Sequence, residues 1–331
     1  MSPKSPWRRI AAAVFALCTL VAAAGCGGDA EKSDGSVQIR VAATGADSLP
    51  FMAVLQLAID KGWFKSRGLD VSIYSGGGGG NTLRVVTSGD ADLAITGSSS
   101  VVLASEKPAA NLAVIGSWFQ VNDFYWITPD EDAKLAGAKL GFSTAGSATE
   151  LIVKALQAKR PDDKISAVSV GGMGDNWAAA KAGRITAGWA MHPFVTEKEQ
   201  EEGARTLVAT RDVIGDHPAD LVAANKDFLK DNPDAMKKFF EGAEQAFEYV
   251  VDDTDKAAAE LAPLVDVDEK VMAKALKDTP ELAKAYSLKV DPVALKNLSD
   301  MMTQAGQIKE PVDWGTVLDQ QYLPASARAD L

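Results

Sequence analysis

The chain of 331 residues is 47% hydrophobic and 24% charged, an ordinary composition for a globular protein with sizeable cores. It carries 34 Lys and Arg residues against 45 Asp and Glu, a formal net charge of −11, which disfavours binding to nucleic acid and to anionic lipid. His192 and His217 are the only histidines and have no metal-binding spacing, so the sequence predicts no metal site and no cofactor.

The N-terminus is predicted to be an export signal. Residues 1–25 combine basic residues with an apolar run of about fifteen, which is short for a membrane span and typical of a signal peptide. The sequence AAG before Cys26 resembles a bacterial lipobox, which implies lipidation of Cys26; cleavage nearby without lipidation is the alternative. Residues 26–36 are small and polar and are predicted to be a tether. We therefore expect an extracytoplasmic protein, anchored to the cell membrane by lipid on Cys26, with no thiol left for chemistry.

Strands and helices alternate after the tether, which predicts an α/β fold with a helical C-terminal part. Apolar, β-branched runs predict strands over 37–43, 69–74, 92–96, 111–118, 124–128, 139–142, 167–170, 185–191, 206–210 and 221–224. Helical spacing of apolar residues predicts helices over 49–61, 81–89, 147–159, 176–181, 233–251, 255–263, 268–277 and 291–305.

Five consecutive glycines, residues 76–80, lie between a predicted strand and a predicted helix that Asn81 or Thr82 is expected to cap. A domain linker would separate two complete cores, whereas this run lies within one β-α-β unit. We therefore predict a wall of a binding site, where bare backbone lets a ligand approach closely; an inert turn is the alternative. The GxGxxG spacing is met by any glycine run and gives no support for a nucleotide site. Replacing Gly77 and Gly78 with Val is expected to abolish binding and to leave the fold intact.

Several segments occur in an order that resembles one family of solute-binding proteins. In chain order they are DKGWFKSRGLDV (60–71), the glycine run, SGDADLAITGSS (88–99), LAGAKLG (135–141), GSAT (146–149), AAKAGRITA (179–187) and DNPD (231–234). The family serves ABC importers of sulfonates, taurine, nitrate and thiamine precursors, and it includes the thiamine pyrimidine synthase fold. The resemblance covers roughly residues 37–260.

The resemblance implies a type II periplasmic-binding fold, in which two α/β lobes close around a small solute. Lobe 1 would comprise residues 37–128 together with 220–331, and lobe 2 would comprise residues 129–219. The implied partners are a small-molecule solute and an ABC permease with its ATPase. The protein is implied to be a monomer and not an enzyme.

Loops at strand carboxyl ends and at helix N-termini are expected to face the solute. The candidate ligand-binding residues are Ser48, Phe51, Gly77, Gly78, Asn81, Ser98, Ser99, Asn122, Phe124, Thr144, Ser147, Ala148, Thr149, Trp189 and His192. Ser147 opens a helix whose free N–H groups can hold an anionic head, although Ser147 can also serve only as an N-cap. His192, which with Met191 departs from the family pattern, is a cleft residue or else a surface loop residue. Phe119 and Trp126 are expected to be core residues.

The candidate loops contain few basic residues, and Arg84, the nearest, lies a turn inside its helix. Three acidic residues are expected near the cleft: Asp47, Asp123 and Asp175. A strongly anionic ligand would require Arg or Lys, whereas a zwitterion can use a helix N-terminus and a carboxylate. An aromatic solute can stack on Trp189 or Phe124. The predicted ligand is an alkanesulfonate or taurine; a thiamine-type pyrimidine, a nitrate-like anion and an aromatic solute are the alternatives.

Two other function classes stay open. The first is an enzyme of thiamine or menaquinone biosynthesis on the same fold. The export signal argues against it because those pathways are cytosolic, and neither histidine has a motif partner for nucleophilic catalysis. The second is a sensor or adhesion lipoprotein that binds a solute without feeding a permease.

Overall fold

The structure, a computed structural model, describes residues 35–331. The predicted signal peptide, the lipidation site at Cys26 and residues 27–34 of the predicted tether lie outside the described residues. Within residues 35–331, no helix has both the length and the apolar character that crossing a membrane requires.

Ten strands form two five-stranded sheets. In chain order the strands are β1 (Val37–Thr44), β2 (Leu69–Gly76), β3 (Leu93–Gly97), β4 (Leu112–Trp118), β5 (Tyr125–Thr128), β6 (Lys139–Phe142), β7 (Ser166–Ser169), β8 (Ala187–Ala190), β9 (Arg205–Ala209) and β10 (Asp220–Asn225). The first sheet has the order β2-β1-β3-β10-β4, and the second has the order β7-β6-β8-β5-β9. The central strands β3 and β10 are buried almost throughout, which explains their mainly apolar sequences.

Each sheet has two parallel and two antiparallel pairings, because one strand of each, β10 or β5, runs antiparallel to both of its neighbours. Strand β1 pairs in parallel with β2 and β3, and β6 pairs in parallel with β7 and β8. Strand β10 runs antiparallel between β3 and β4, with Asp220 opposite Gly97 and Trp118. The first residue of β10 therefore lies at the edge where β3 and β4 end.

The helices cover the sheets and fill the C-terminal third. They are α1 (Pro50–Asp60), α2 (Gly79–Thr87), α3 (Ser98–Ser105), α4 (Ala148–Lys159), α5 (Met173–Lys181), α6 (Phe194–Glu202), α7 (Arg211–Ile214), α8 (Lys226–Asp231), α9 (Pro233–Asp252), α10 (Thr254–Leu261), α11 (Glu269–Asp278), α12 (Leu282–Ala285), α13 (Pro292–Gln304) and α14 (Trp314–Val317). The α/β fold class with a helical C-terminal part is confirmed. The prediction that Asn81 or Thr82 caps α2 is wrong, because Gly78 is the N-cap and both residues lie inside the helix.

Aromatic side chains dominate the core between the first sheet and α9. Phe239, Phe240 and Phe247 of α9 are buried, and Phe247 contacts Trp118 with ring centroids 4.7 Å apart. Burying each such side chain stabilises the fold by about 1.5–3 kcal/mol. The indole N–H of Trp118 donates to the backbone carbonyl of Phe51 at 2.8 Å, so this buried donor is satisfied.

The two expected core aromatics are buried as predicted. Phe119 is 1% exposed and Trp126 is fully buried. Phe119 stacks on Phe51 with ring centroids 4.0 Å apart. The indole N–H of Trp126 donates to the carbonyl of Gly141 at 2.7 Å.

Two crossovers, residues 119–124 and 210–219, connect the sheets and hydrogen-bond to each other. The Asn122 side-chain amide donates to the Gly215 carbonyl at 3.0 Å and accepts from the Thr210 hydroxyl at 2.8 Å. The predicted division into two lobes remains a proposal. Because β5 pairs only within the second sheet, the first crossover precedes residue 125 and not residue 129.

Candidate ligand-binding cleft

A cleft of about 500 Å³ lies where strand ends of the two sheets face each other. Carboxyl ends of parallel strands are where α/β proteins build ligand sites, since loops and helix N-termini converge there. The first sheet contributes Thr44, Gly76 and Gly97, the last residues of β1, β2 and β3. The second sheet contributes residues that end or follow β6, β7 and β8, among them Ser143, Gly171 and Met191.

The two sides of the cleft are in contact where helices α3 and α4 begin. A Cβ built on Gly97 would lie 3.2 Å from the Cβ of Ala148, and the Ser100 hydroxyl donates to the Gly146 carbonyl at 3.4 Å. The start of α3 and the start of α4 are therefore in contact, and small residues make that approach possible.

Ten of the predicted residues line the cleft: Ser48, Phe51, Gly77, Gly78, Phe124, Thr144, Ser147, Ala148, Thr149 and Trp189. Their loops follow predicted strands or open predicted helices, which is the pattern that selected them. Their contact with a solute remains a prediction. Residues that line the cleft without having been predicted include Thr96, Ser100, Ser143, Met191 and Asp220.

The other five predicted residues do not line the cleft. Asn81 is exposed on α2. Ser98 is buried and its hydroxyl donates to the Pro218 carbonyl, while Ser99 is fully buried. Asn122 is used to tie the two crossovers together.

His192 is neither a cleft residue nor a surface loop residue. It is 7% exposed, and its Nδ1 lies 2.7 Å from the Thr196 hydroxyl. Its ring meets Tyr125 edge-on, with centroids 5.1 Å apart. Burial lowers the pKa of His192 to about 4, so the ring is neutral at pH 7.

The glycine run has two structural parts. A Cβ on Gly76 would collide with the Thr82 hydroxyl, and a Cβ on Gly79 would lie 2.6 Å from the Ser100 hydroxyl. Gly77 and Gly78 have no atom within 4 Å of such a position and line the cleft. Packing therefore explains glycine at two positions, and the bare backbone between them faces the cleft. The run joins β2 to α2 in one sheet and is not a linker between domains.

The expectation that Val at both Gly77 and Gly78 leaves the fold intact needs correction. Gly78 has φ +119°, a conformation in which any side chain is strained. Gly77→Val alone is expected to change the free energy of unfolding by less than about 1 kcal/mol and to lower solute affinity tenfold or more. The matched variant Gly76→Val is expected to destabilise the fold through Thr82. Urea unfolding measures the stability of each variant, and calorimetric titration measures its solute affinity. Unchanged affinity in a folded Gly77→Val protein would indicate that the glycine run is an inert turn.

The N-terminus of α4 is largely satisfied by its own residues. The Ser147 hydroxyl accepts from the Glu150 N–H at 3.2 Å, and the Glu150 carboxylate accepts from the Gly146 N–H at 2.6 Å. The Thr149 hydroxyl lies 2.9 Å from both the Ser143 and Ser147 hydroxyls. Ser147 is therefore an N-cap that also lines the cleft. The Glu150 carboxylate offsets part of the positive helix end that an anion would use.

Two aromatic side chains form an apolar wall. The Phe124 and Trp189 rings are 6.4 Å apart between centroids and tilted by 44°. The Trp189 indole N–H donates to the Gly171 carbonyl at 3.0 Å, which fixes the ring beside the loop after β7. Met191 extends this wall. A flat or apolar part of a solute can bind here.

The charged residues that line the cleft within the described chain are both acidic. Asp47 is exposed and accepts from the Ser75 hydroxyl at 2.9 Å. Asp220 is 7% exposed, and burial raises its pKa to about 8. Asp123 and Asp175, expected near the cleft, do not line it.

Basic residues lie beside the cleft and not in it. Arg84 and Lys107 line a neighbouring pocket of about 520 Å³, which shares Gly79, Ser100, Thr144 and Ser147 with the cleft. Over residues 35–331, no cluster of three or more His, Cys, Asp or Glu side chains is arranged to hold a metal ion.

A family model described as NMT1/THI5 like matches residues 50–257. No curated protein matches the sequence. Solved structures with the periplasmic-binding fold do match. The ligand-binding component of an ABC-type import system from Staphylococcus aureus, with zinc bound, is 14% identical with a TM-score of 0.72, over 88% of this chain and 99% of that one.

Two further structures illustrate the range of proteins on this fold. The alkanesulfonate-binding protein SsuA from Xanthomonas axonopodis pv. citri, bound to MOPS, is 16% identical with a TM-score of 0.66, covering 81% of this chain and 93% of that one. The desulfurization enzyme DszB is 13% identical with a TM-score of 0.62, covering 86% of this chain and 97% of that one. At these identities the likeness shows the fold alone.

Proposed function

Because the chain belongs to the NMT1/THI5-like family, we propose that it is the extracytoplasmic solute-binding component of an ABC importer. The observation that carries this proposal is the cleft of about 500 Å³ between strand ends of the two sheets. This volume suits a small organic molecule, and both sheets contribute to its walls. The two tied crossovers beside it provide a hinge about which the sheets can close on a solute.

The proposed solute is an alkanesulfonate or taurine, and a pyrimidine or other aromatic solute is the alternative. The hydroxyls of Ser143, Ser147 and Thr149 support a polar head beside α4. The wall of Phe124 and Trp189 supports a flat ring. A nitrate-like anion has the weakest support, because it has no carbon body to contact Phe124 and Trp189, and no Lys or Arg of the described chain lines the cleft to hold its charge.

A binding protein suits the cleft better than an enzyme does. The Ser143, Ser147 and Thr149 hydroxyls hydrogen-bond to one another and to backbone groups, and none of the three is paired with a His, Lys, Cys or Asp side chain of the described chain that could act as its base. We further propose that lipid on Cys26 holds the protein at the membrane, where as a monomer it delivers the solute to a permease with its ATPase.

A thermal-shift panel tests this function. Taurine and alkanesulfonates are compared with nitrate, pyrimidines and aromatic acids on the purified protein. A solute at one hundred times its Kd stabilises the native state by about 2.7 kcal/mol, which raises Tm by several degrees. A rise with at least one panel member is expected. A flat panel would contradict the proposed function.

A further inference from the structure

The geometry points to a cleft that selects solutes with a protonated nitrogen, held by the carboxylate of Asp220, an inference that rests on the proposed solute-binding function. The solute would be an amine, an amidine or an amino-substituted heterocycle. Among the proposed solutes, this class includes taurine and aminopyrimidines. It narrows the proposed solutes, because alkanesulfonates without an amino group and nitrate-like anions do not belong to it.

The position of Asp220 follows from the topology of the first sheet. Strand β10 runs antiparallel, so its first residue lies opposite Gly97 at the end of β3 and opposite Trp118 at the end of β4. Asp220 therefore reaches the same edge as the loops after the parallel strands. Both Asp220 and the preceding Ala219 line the cleft.

Asp220 differs from the other buried aspartates in having no partner within residues 35–331. Asp92, also 7% exposed, forms an ion pair with Arg40 at 2.7 Å. Asp123, 2% exposed, accepts a hydrogen bond from the Tyr125 hydroxyl at 2.7 Å. The Asp220 carboxyl forms neither an ion pair nor a hydrogen bond with another group of the described chain, and burial raises its pKa. Because a buried polar group without a partner is unfavourable, the missing partner is expected to come from the solute.

None of the groups described around Asp220 supplies a positive charge to pair with its carboxylate. The flanking strands place Gly97 and Trp118 beside it, and neither residue has an ionisable group in its side-chain position. The titratable group nearest in sequence, His217, is 2% exposed; its Nδ1–H donates to the Pro218 carbonyl, and burial lowers its pKa. His217 is therefore neutral near pH 7 and supplies no positive charge. The second acidic group that lines the cleft, Asp47, is exposed and already accepts from Ser75.

The rest of the cleft is compatible with an organic cation. The rings of Phe124 and Trp189 can contact the carbon body of the solute, and an aromatic face attracts a cation. Binding a cation at Asp220 returns the carboxyl to its ionised form. Since burial raises its pKa to about 8 in the free protein, binding at pH 7 is accompanied by release of a proton from Asp220.

Matched pairs of probes test the selection for a charged nitrogen. Taurine is compared with ethanesulfonate, benzylamine with benzyl alcohol, and an aminomethylpyrimidine with the corresponding methylpyrimidine, each by calorimetric titration at pH 8.5. At least one amine is expected to bind at least ten times more tightly than the matched probe that lacks the amino group. Asp220→Asn is expected to remove that preference. Asp92→Asn, which alters a buried carboxyl that does not line the cleft, is the matched control and is expected to keep it.

Proton release provides a readout that needs no variant. Titrating the wild-type protein at pH 7 in buffers with different heats of ionisation is expected to show release of close to one proton with the amine. Absence of release, equal affinity within every pair, or an unchanged preference in Asp220→Asn would overturn the assignment of Asp220. In those cases binding of any probe still supports the solute-binding function. If no probe binds, nitrate and alkanesulfonates included, both the assignment and the function are contradicted.

Discussion

Gly188→Ala is expected to lower the free energy of unfolding by about 3 kcal/mol or more, because the added methyl group meets the backbone of a neighbouring helix. A Cβ on Gly188 in β8 would lie 2.7 Å from the Cβ of Asn176 and 2.8 Å from its carbonyl carbon. Backbone cannot rotate away as a side chain can. The helix is also fixed by the Asn176 amide, which donates to the Gly171 carbonyl at 2.8 Å and the Gly172 carbonyl at 3.0 Å.

The same substitution is expected to weaken solute binding. Gly171 and Gly172 line the cleft, and Asn176 holds them in place. Moving α5 away from β8 therefore moves part of the cleft wall. Urea unfolding measures the stability, and the panel of solutes measures the binding.

Gly174→Ala is the matched control for this prediction. Gly174 also belongs to α5, is exposed, and has no atom within 4 Å of an added Cβ. Alanine is expected to stabilise the helix there by up to about 1 kcal/mol, the opposite sign. A Gly188→Ala protein as stable as the wild type would contradict the close packing of α5 on β8.

The ligand-free protein is expected to lose about 2 kcal/mol of stability between pH 6.5 and pH 8. Burial raises the pKa of Asp220 to about 8 and that of Asp123 to about 7, well above the value of about 3.8 for an unfolded aspartate. In this window the unfolded chain has already released these protons while the native state still holds them. Stability therefore falls as the pH rises, by about 1.4 kcal/mol per unit for each protonated group.

The lower limit of this window is set by the histidines. Burial lowers the pKa of His192 to about 4 and lowers that of His217, so these rings bind protons more readily when unfolded. Below pH 6.5 their effect on stability has the opposite sign and offsets that of the two aspartates. Urea unfolding at pH 6.5, 7.25 and 8 measures the slope, which Asp220→Asn is expected to reduce by more than half. A slope equal to wild type in that variant would contradict a buried, unpaired Asp220.

Elements with a strong local pattern could be predicted closely from the sequence. Strand β1 and helix α4 differ from their predicted bounds by one residue, and Ser147 caps α4 as expected. Helix α6 was missed because its sequence FVTEKEQEE is polar, with only Val195 and Thr196 buried. Contacts with the rest of the protein stabilise this helix, and a single-sequence pattern does not reveal them.

The sequence predicted which loops form the candidate site, because those loops follow from the order of strands and helices. It did not predict which side chains of those loops face the cleft. Loops after parallel strands can be located from the alternation of elements, which led to Gly77 and Ser147. The direction of a side chain within such a loop depends on its neighbours, so Ser98 and His192 were placed in the cleft although they are buried elsewhere. Asp220 was missed because it begins a strand. Only the antiparallel placement of β10 brings that start to the ligand edge.

The contact between Gly97 and Ala148 sets a lower limit on the size of the enclosed space. A Cβ on Gly97 would already lie 3.2 Å from the Cβ of Ala148, so these residues act as a mechanical stop between the walls. A bulkier residue at either position would hold the two sides of the cleft further apart. A small solute could then not contact both sides at once. Gly97 and Ala148, which have no polar side chain, thereby contribute to the choice of solute.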